Sequence, residues 1–336
     1  IAAPDTPVSK GSTPSKDYGR YFKFLTDYYH YASDGGSKFE IRVPKTYFSF
    51  SKPLIPYNIT HHTDEQQAQK QNSLGPEIIS EMAGKIDFTG VDLALVVVPA
   101  GTSAKNLEQG SLGGTTLGNS KFLRISMAQP YTLGEQITKN RIMMLPMWWM
   151  HELYHIGAGL MDHNGNNFWQ NGYGTDDSQP GMGNWGLMSM SKTEMTTWEK
   201  WILGMTTDSQ VYCLPANTSS TTWITPTGVK STQHKLSVIQ VSDSKVIVIE
   251  SRRAAGLDYL LPRESEGALV YEIDLAQRER EYGYRVISNR PISRSQPFLY
   301  SSAPLKRGEI LVSNGLKITN IESGEFGDVI KVEPVG

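Results

Sequence analysis

The stretch whose reading decides the rest is MWWMHELYHIGAGLMDHN, Met147 to Asn164. The chain has seven histidines, and three of them, His151, His155 and His163, fall inside this short segment. His151-Glu152-Leu153-Tyr154-His155 has the form HExxH. On a helix, residues four apart share one face about 6 Å apart along the axis, so both imidazoles can meet one ion. Glu152 then stands beside the ion without having to ligate it. The chemistry that needs these residue types at this spacing is zinc-assisted hydrolysis. A glutamate takes a proton from a metal-bound water and delivers it to a leaving amine, while zinc polarises the scissile carbonyl. The competing reading is a tryptophan-rich buried helix whose histidines are satisfied by hydrogen bonds. Met147 to Met150 suit either.

A third ligand separates the two. GAGLMDH must end the helix at Gly157 or Gly159, and a returning chain brings Asp162 or His163 toward the metal. Imidazole is the better zinc ligand by chemistry. Glu194, in KTEMTTWEKW, is a more distant candidate whose plain alternative is a surface glutamate on a helix. GNWGLMSMS, Gly183 to Ser191, offers a tight turn carrying Met188 and Met190, which core filling would also explain. Asp162, Asn164 and Asn166 alternate as calcium-loop oxygens do, so Ca²⁺ is a second candidate ion, although the central glycine and closing glutamate of an EF-hand are missing.

The composition is that of an ordinary soluble chain: 336 residues, 38% hydrophobic, net charge -2, with a sequence pI near 6.4. That length supports two domains, or one large domain with an appendage. The charge balance argues against a nucleic-acid partner, and no basic cluster suggests an anionic membrane. The longest apolar run, Leu93 to Ala100, is too short to span a bilayer, so no membrane insertion is expected. Because the chain begins at Ile1, a mature or trimmed product is expected. The single cysteine, Cys213, excludes an internal disulfide and reads as a small buried hydrophobe. It also makes a thiol latch on the zinc unexpected.

Residues 1–16, rich in Pro, Ser and Lys, read as an extended surface arm. Tyr21, Phe24, Leu25 and Tyr28 mark one face of a helix that SDGG (Ser33 to Gly36) breaks. KFEIRV then alternates as a strand. Thr63 and Gln66 have capping-box spacing, and Pro76 suits a helix's first turn, so two helices or one broken helix are expected here. VDLALVVVPAG reads as a central strand covered on both faces. The glycine-rich EQGSLGGTTLGNS lacks the lysine-serine pair of a phosphate loop. After Thr206, KLSVIQV, KVIVIES, GALVYEID and GLKITNI read as short alternating segments between turns, as in a β-sandwich.

The order HELYH, GLMD, WGLMS and WEKWILGM resembles the secreted immune inhibitor A peptidases, a metzincin-like family with HExxH, a downstream Gly-Leu-x-Asp, a Trp-x-Leu-Met-Ser turn and a Trp-x-Lys-x-x-Leu-Gly helix. LTDYYHYASDGGSKFEI, IDFTGVDLALVVVPAG, VIVIESRRAAGLDYLLP and GALVYEID extend the resemblance over most of the chain. It departs at one point. The family spaces its motif HExxHxxGxxD, whereas here the glycine of GLMD is Gly159, one residue later. Matched by glycine-plus-three, Asp162 becomes the third ligand beside His151 and His155, with Glu152 catalytic.

The resemblance implies an α/β (α+β) metzincin-like catalytic domain, residues 17–205, with a mixed twisted sheet and an active-site helix. A β-sandwich-like C-terminal domain, residues 206–336, follows. It implies a secreted, monomeric zinc endopeptidase acting on a protein or peptide substrate, and such peptidases often bind calcium. Two other readings use the same residues: a peptidase-fold binding or adhesion module, favoured by the shifted glycine, and a zinc hydrolase of a non-peptide amide.

Overall fold

The computed structural model describes residues 1–59, 65–103, 106–118, 121–128, 130, 144–163, 181–189, 193–277, 283–291 and 300–335. It is a mixed α+β chain with a few helices and several mixed sheets. It divides into two compact units, one formed by Ile1–Thr26 and Glu40–Leu160, the other by Asp27–Phe39 and Met161–Gly336.

In the first unit, α1 (Pro14–Ala32) begins three residues before Asp17 and runs on into the second unit. Its apolar stripe is as expected: Tyr18, Tyr21, Leu25 and Tyr28 are buried, while Phe24 is half-buried. Asp34 (φ 52°) and Gly35 (φ 82°) then adopt the left-handed conformation that stops a helix. KFEIRV differs from expectation. Its side chains alternate between half-buried and exposed, yet residues 38–43 form no strand. Alternation specifies which way side chains face, not that a partner strand is present. The first residues are not a free arm either: Ala2 bridges Ser49, and Ala3 and Thr6 are buried.

Helix α2 (Glu65–Met82) is continuous, with Pro76 in its interior rather than its first turn. Gln71, Leu74, Gly75, Ile78, Ile79 and Met82 make its buried face. Pro76 has no N–H, which leaves the Asn72 carbonyl without its usual donor inside the helix. That side is where the sheet comes closest. A Cβ on Gly75 would meet the Leu112 carbonyl oxygen at 2.3 Å, and one on Gly113 the Asn72 oxygen at 2.4 Å. Thr63 lies outside the described residues.

Strands β1 (Leu93–Val96), β2 (Gly110–Leu117) and β3 (Lys121–Met127) form a sheet of order β1-β3-β2, with β1 parallel and β2 antiparallel to β3. Among the described residues the apolar Leu93–Val96 run is therefore an edge strand, and β3 is central, contrary to expectation. Burial misled the sequence reading, because Val97 and Val98 continue the run into the core without extending the strand. Glycine-rich β2 is plain strand with a bulge between Ser111 and Gly114. Helix α3 (Met144–Ala158) carries the histidines. Its Trp149 is fully buried, with ring centroids 5.3 Å from Tyr18, 5.0 Å from Tyr21 and 6.4 Å from Phe22. Burying an indole this way is worth several kcal/mol, so the aromatic face of α1 fixes the rotation of α3.

In the second unit, α4 (Thr197–Ile202) precedes nine strands among the described residues. β4 (Val211–Pro215), β6 (Leu236–Gln240), β7 (Lys245–Arg252), β8 (Gly267–Asp274) and β9 (Tyr284–Val286) form a sheet in the order β4-β6-β7-β8-β9. β10 (Ile310–Ser313), β11 (Leu316–Gly324), β12 (Gly327–Pro334) and β5 (Ser220–Ile224) form a second, antiparallel sheet. Ile247, Ile249 and Val270 pack in one core with Ile318, Ile330 and Val332, while Val248, Leu269 and Tyr271 pack in another with Trp185 and Trp198. KVIVIES and GALVYEID, expected to alternate, are instead buried at nearly every position, because strands covered on both faces are apolar at successive positions. Cys213, expected buried, is exposed: among the described residues β4 is an edge strand, and Cys213 lies beside Val238 at the margin of the core rather than inside it.

Candidate metal centre

The site starts from the end of α3. Gly157 continues the helix, and Gly159 (φ 72°) stops it, with its N–H donating to the His155 carbonyl at 3.1 Å. Gly159 takes the left-handed cap position, which glycine adopts without a Cβ penalty, and the Leu160 N–H adds a second bond to the Tyr154 carbonyl at 3.3 Å. The residue that shifts the motif relative to HExxHxxG is thus absorbed as Ala158, the last residue of the helix. The chain turns directly after it.

Leu160 closes the turn and does a second job. Its carbonyl lies 2.6 Å from His155 Nδ1. A carbonyl only accepts, so Nδ1 carries the proton and Nε2 is the accepting ring nitrogen. That Nε2 faces His151 Nε2 at 2.9 Å, with the two rings at 85°. Trp148, one turn earlier, stacks on the His151 ring at 5.1 Å and 2°. His151 is buried, His155 half-buried.

His151, His155 and Asp162 each place a donor atom within 4.8 Å of the other two. Tetrahedral zinc with Zn–N bonds of about 2.05 Å would hold its nitrogens about 3.3 Å apart, so the imidazoles stand within a few tenths of an ångström of that spacing. Two neutral imidazoles and one carboxylate are a donor set that suits zinc. The residues present fit the ion. Glu152 is buried and, as the residue three before His155, lies on the neighbouring strip of the same helix face.

His163, the competing ligand, is committed elsewhere. Its Nε2 is 2.9 Å from Glu199 Oε1, and its ring stacks on Tyr284 at 3.6 Å and 18°. Its N–H donates to the Met188 carbonyl at 2.8 Å and its own carbonyl accepts from Met182 N–H at 2.9 Å. Both His163 and Glu199 are buried. Burial alone would raise the Glu199 carboxyl, but the hydrogen bond and charge of His163 and the Thr196 donors outweigh it and hold Glu199 below the ordinary glutamate range. Burial, with the Glu199 charge behind it, pushes the Tyr284 phenol up.

Glu194 is not a surface residue and not in a helix. It is buried ahead of α4, paired with Lys200 Nζ at 2.5 Å, and its backbone oxygen accepts from Arg252. Arg252 in turn pairs with Glu250 and Asp258, each at 2.7 Å. Met188 is fully buried in the turn closed by Ser189 N–H on the Gly186 carbonyl. Met190, Asn164 and Asn166 lie outside the described residues.

The sequence reading missed Glu199 as a partner of His163. Its signal was there: Thr196 and Glu199 form a capping box, with the Thr196 N–H 3.0 Å from Glu199 Oε2. Compared with known protein families and curated proteins, the chain matches no family and no such protein.

Proposed function

We propose that the protein is a secreted zinc-dependent endopeptidase, similar to the immune inhibitor A peptidases, with a metzincin-like catalytic part and a β-sandwich-like C-terminal part. One observation carries the reading: His151, His155 and Asp162 gather their donor atoms within 4.8 Å at the end of a helix that also carries Glu152. His151 and His155 would hold zinc through Nε2, and Asp162 through its carboxylate. Bound zinc supplies Lewis acidity, polarising a carbonyl and lowering the pKa of a coordinated water to about 7. The Glu152 carboxylate accepts the proton of the attacking water and passes it to the leaving amide nitrogen. The Leu160 carbonyl keeps the His155 proton on Nδ1, so Nε2 is the nitrogen that would meet the ion. Trp148 covers one face of the His151 ring and limits its rotation.

The test is cleavage of an unfolded protein substrate by wild type and Glu152→Gln, with and without a chelator, alongside metal content. Glu152→Gln should keep its zinc and lose turnover by orders of magnitude. Turnover by the variant comparable to wild type would remove Glu152 from the chemistry. Full zinc occupancy with no cleavage by wild type would favour the binding module, and cleavage confined to non-peptide amides the alternative hydrolase.

A further inference from the structure

We propose that His163 is a positioning residue whose pairing with Glu199 sets the backbone that presents Asp162 to the metal. The inference rests on the metal-centre reading above. His163 directly follows Asp162, so whatever fixes its main chain fixes one side of Asp162 as well. It is held from four directions. Its N–H and C=O bond to Met188 and Met182, which ties it to the segment 181–189 at both polar atoms. Its ring lies flat on Tyr284 of β9, and its Nε2 meets a Glu199 carboxylate with no solvent access.

Glu199 is itself immobilised. Its Oε2 accepts from the Thr196 N–H at 3.0 Å and the Thr196 hydroxyl at 2.8 Å, so Oε1 is aimed at His163 by the capping box. The chain of constraint therefore runs from the first turn of α4, through one carboxylate and one imidazole, to the residue beside Asp162. A buried hydrogen-bonded pair of this kind has few alternative arrangements, because leaving Glu199 unpaired strands a carboxylate in the interior. Metal ligands supported this way characteristically lose about 10- to 100-fold in affinity when the support is removed.

The experiment measures zinc affinity of the full chain by competition with a chromophoric chelator, together with thermal stability of the chelator-treated protein. His163→Phe keeps the ring on Tyr284 but abolishes the bond to Glu199, and its zinc affinity should fall about 10- to 100-fold. His163→Gln restores a donor toward Glu199 and should recover most of that loss. Glu199→Gln, which removes the charge and keeps the shape, should fall between. A purely architectural role would lower the stability of His163→Phe and leave its zinc affinity as in wild type, and that result overturns the proposal. Should His163→Phe not fold, an unchanged affinity in Glu199→Gln overturns it alone. Failure of wild type to bind zinc, or an Asp162→Ala variant binding as tightly as wild type, would instead remove the metal reading and this inference with it.

Discussion

Two glycines two residues apart should respond in opposite ways to the same substitution. Gly157 lies within α3, and a Cβ there would meet only Leu93 Cδ1, at 3.9 Å. That is ordinary contact, so Gly157→Ala should stabilise by about 0.5–1 kcal/mol through helix propensity. Among the described residues no atom lies within 4 Å of a Cβ added at Gly159, so space there is not the issue. Its φ of 72° is. An alanine held there costs about 1–2 kcal/mol, of which about 0.4–1 is offset by the stiffer unfolded chain. The net expectation is a loss near 1 kcal/mol, leaving the two variants about 1.5–2 kcal/mol apart, more than tenfold in the folded-to-unfolded ratio. Equilibrium urea denaturation of the metal-free chain, followed by circular dichroism, resolves that gap. Only Gly159→Ala should also weaken zinc binding, because only it disturbs the turn that leads to Asp162. A Gly159→Ala variant as stable as wild type, or both variants moving in one direction, would mean that the helix does not end where the cap places it.

Two other outcomes follow from buried charge. Lys200→Met strands Glu194, whose carboxyl burial already pushes up, and should destabilise by about 3–5 kcal/mol at neutral pH in urea denaturation. The loss should shrink in acid, where Glu194 takes a proton, and Lys200→Met combined with Glu194→Leu should recover much of it; equal loss at every pH would contradict the pairing. Glu199, held below the ordinary range, contributes stability that is complete above the unfolded glutamate value and disappears as pH falls through its folded value. Acid titration of stability should therefore be shallower in Glu199→Gln than in wild type, and identical acid limbs would count against the His163–Glu199 bond.

What could be read from the sequence was what depends on local period. HExxH puts two imidazoles on one helical face by spacing alone, and the aromatic stripe of α1 follows the same geometry. β7 and β8 were visible as strands, but where alternation was expected the structure buries them at nearly every position. What could not be read depends on partners far along the chain. Among the described residues KFEIRV alternates like a strand but pairs with none and Leu93–Val96, which looked central, lies at an edge, while Glu194 looked like a surface residue because Lys200 and Arg252 reach it only in the folded state. Cys213 is exposed for the same reason, since the edge position of β4 among the described residues is a property of the sheet and not of the segment.

The choice between Asp162 and His163 shows how tertiary context can outweigh ligand chemistry. Taken by themselves, the imidazole is the stronger zinc donor and stands only one residue further on. To ligate, however, His163 would have to leave Glu199, and breaking a buried pair by withdrawing one partner costs about 3–5 kcal/mol. It would also give up its stacking on Tyr284 and, if the backbone turned with it, the bonds to Met182 and Met188. Asp162 surrenders none of these by turning toward His151 and His155. On the zinc reading proposed above, the aspartate is the better ligand because its neighbour already has an occupation, and the carboxylate that provides it lies thirty-six residues downstream.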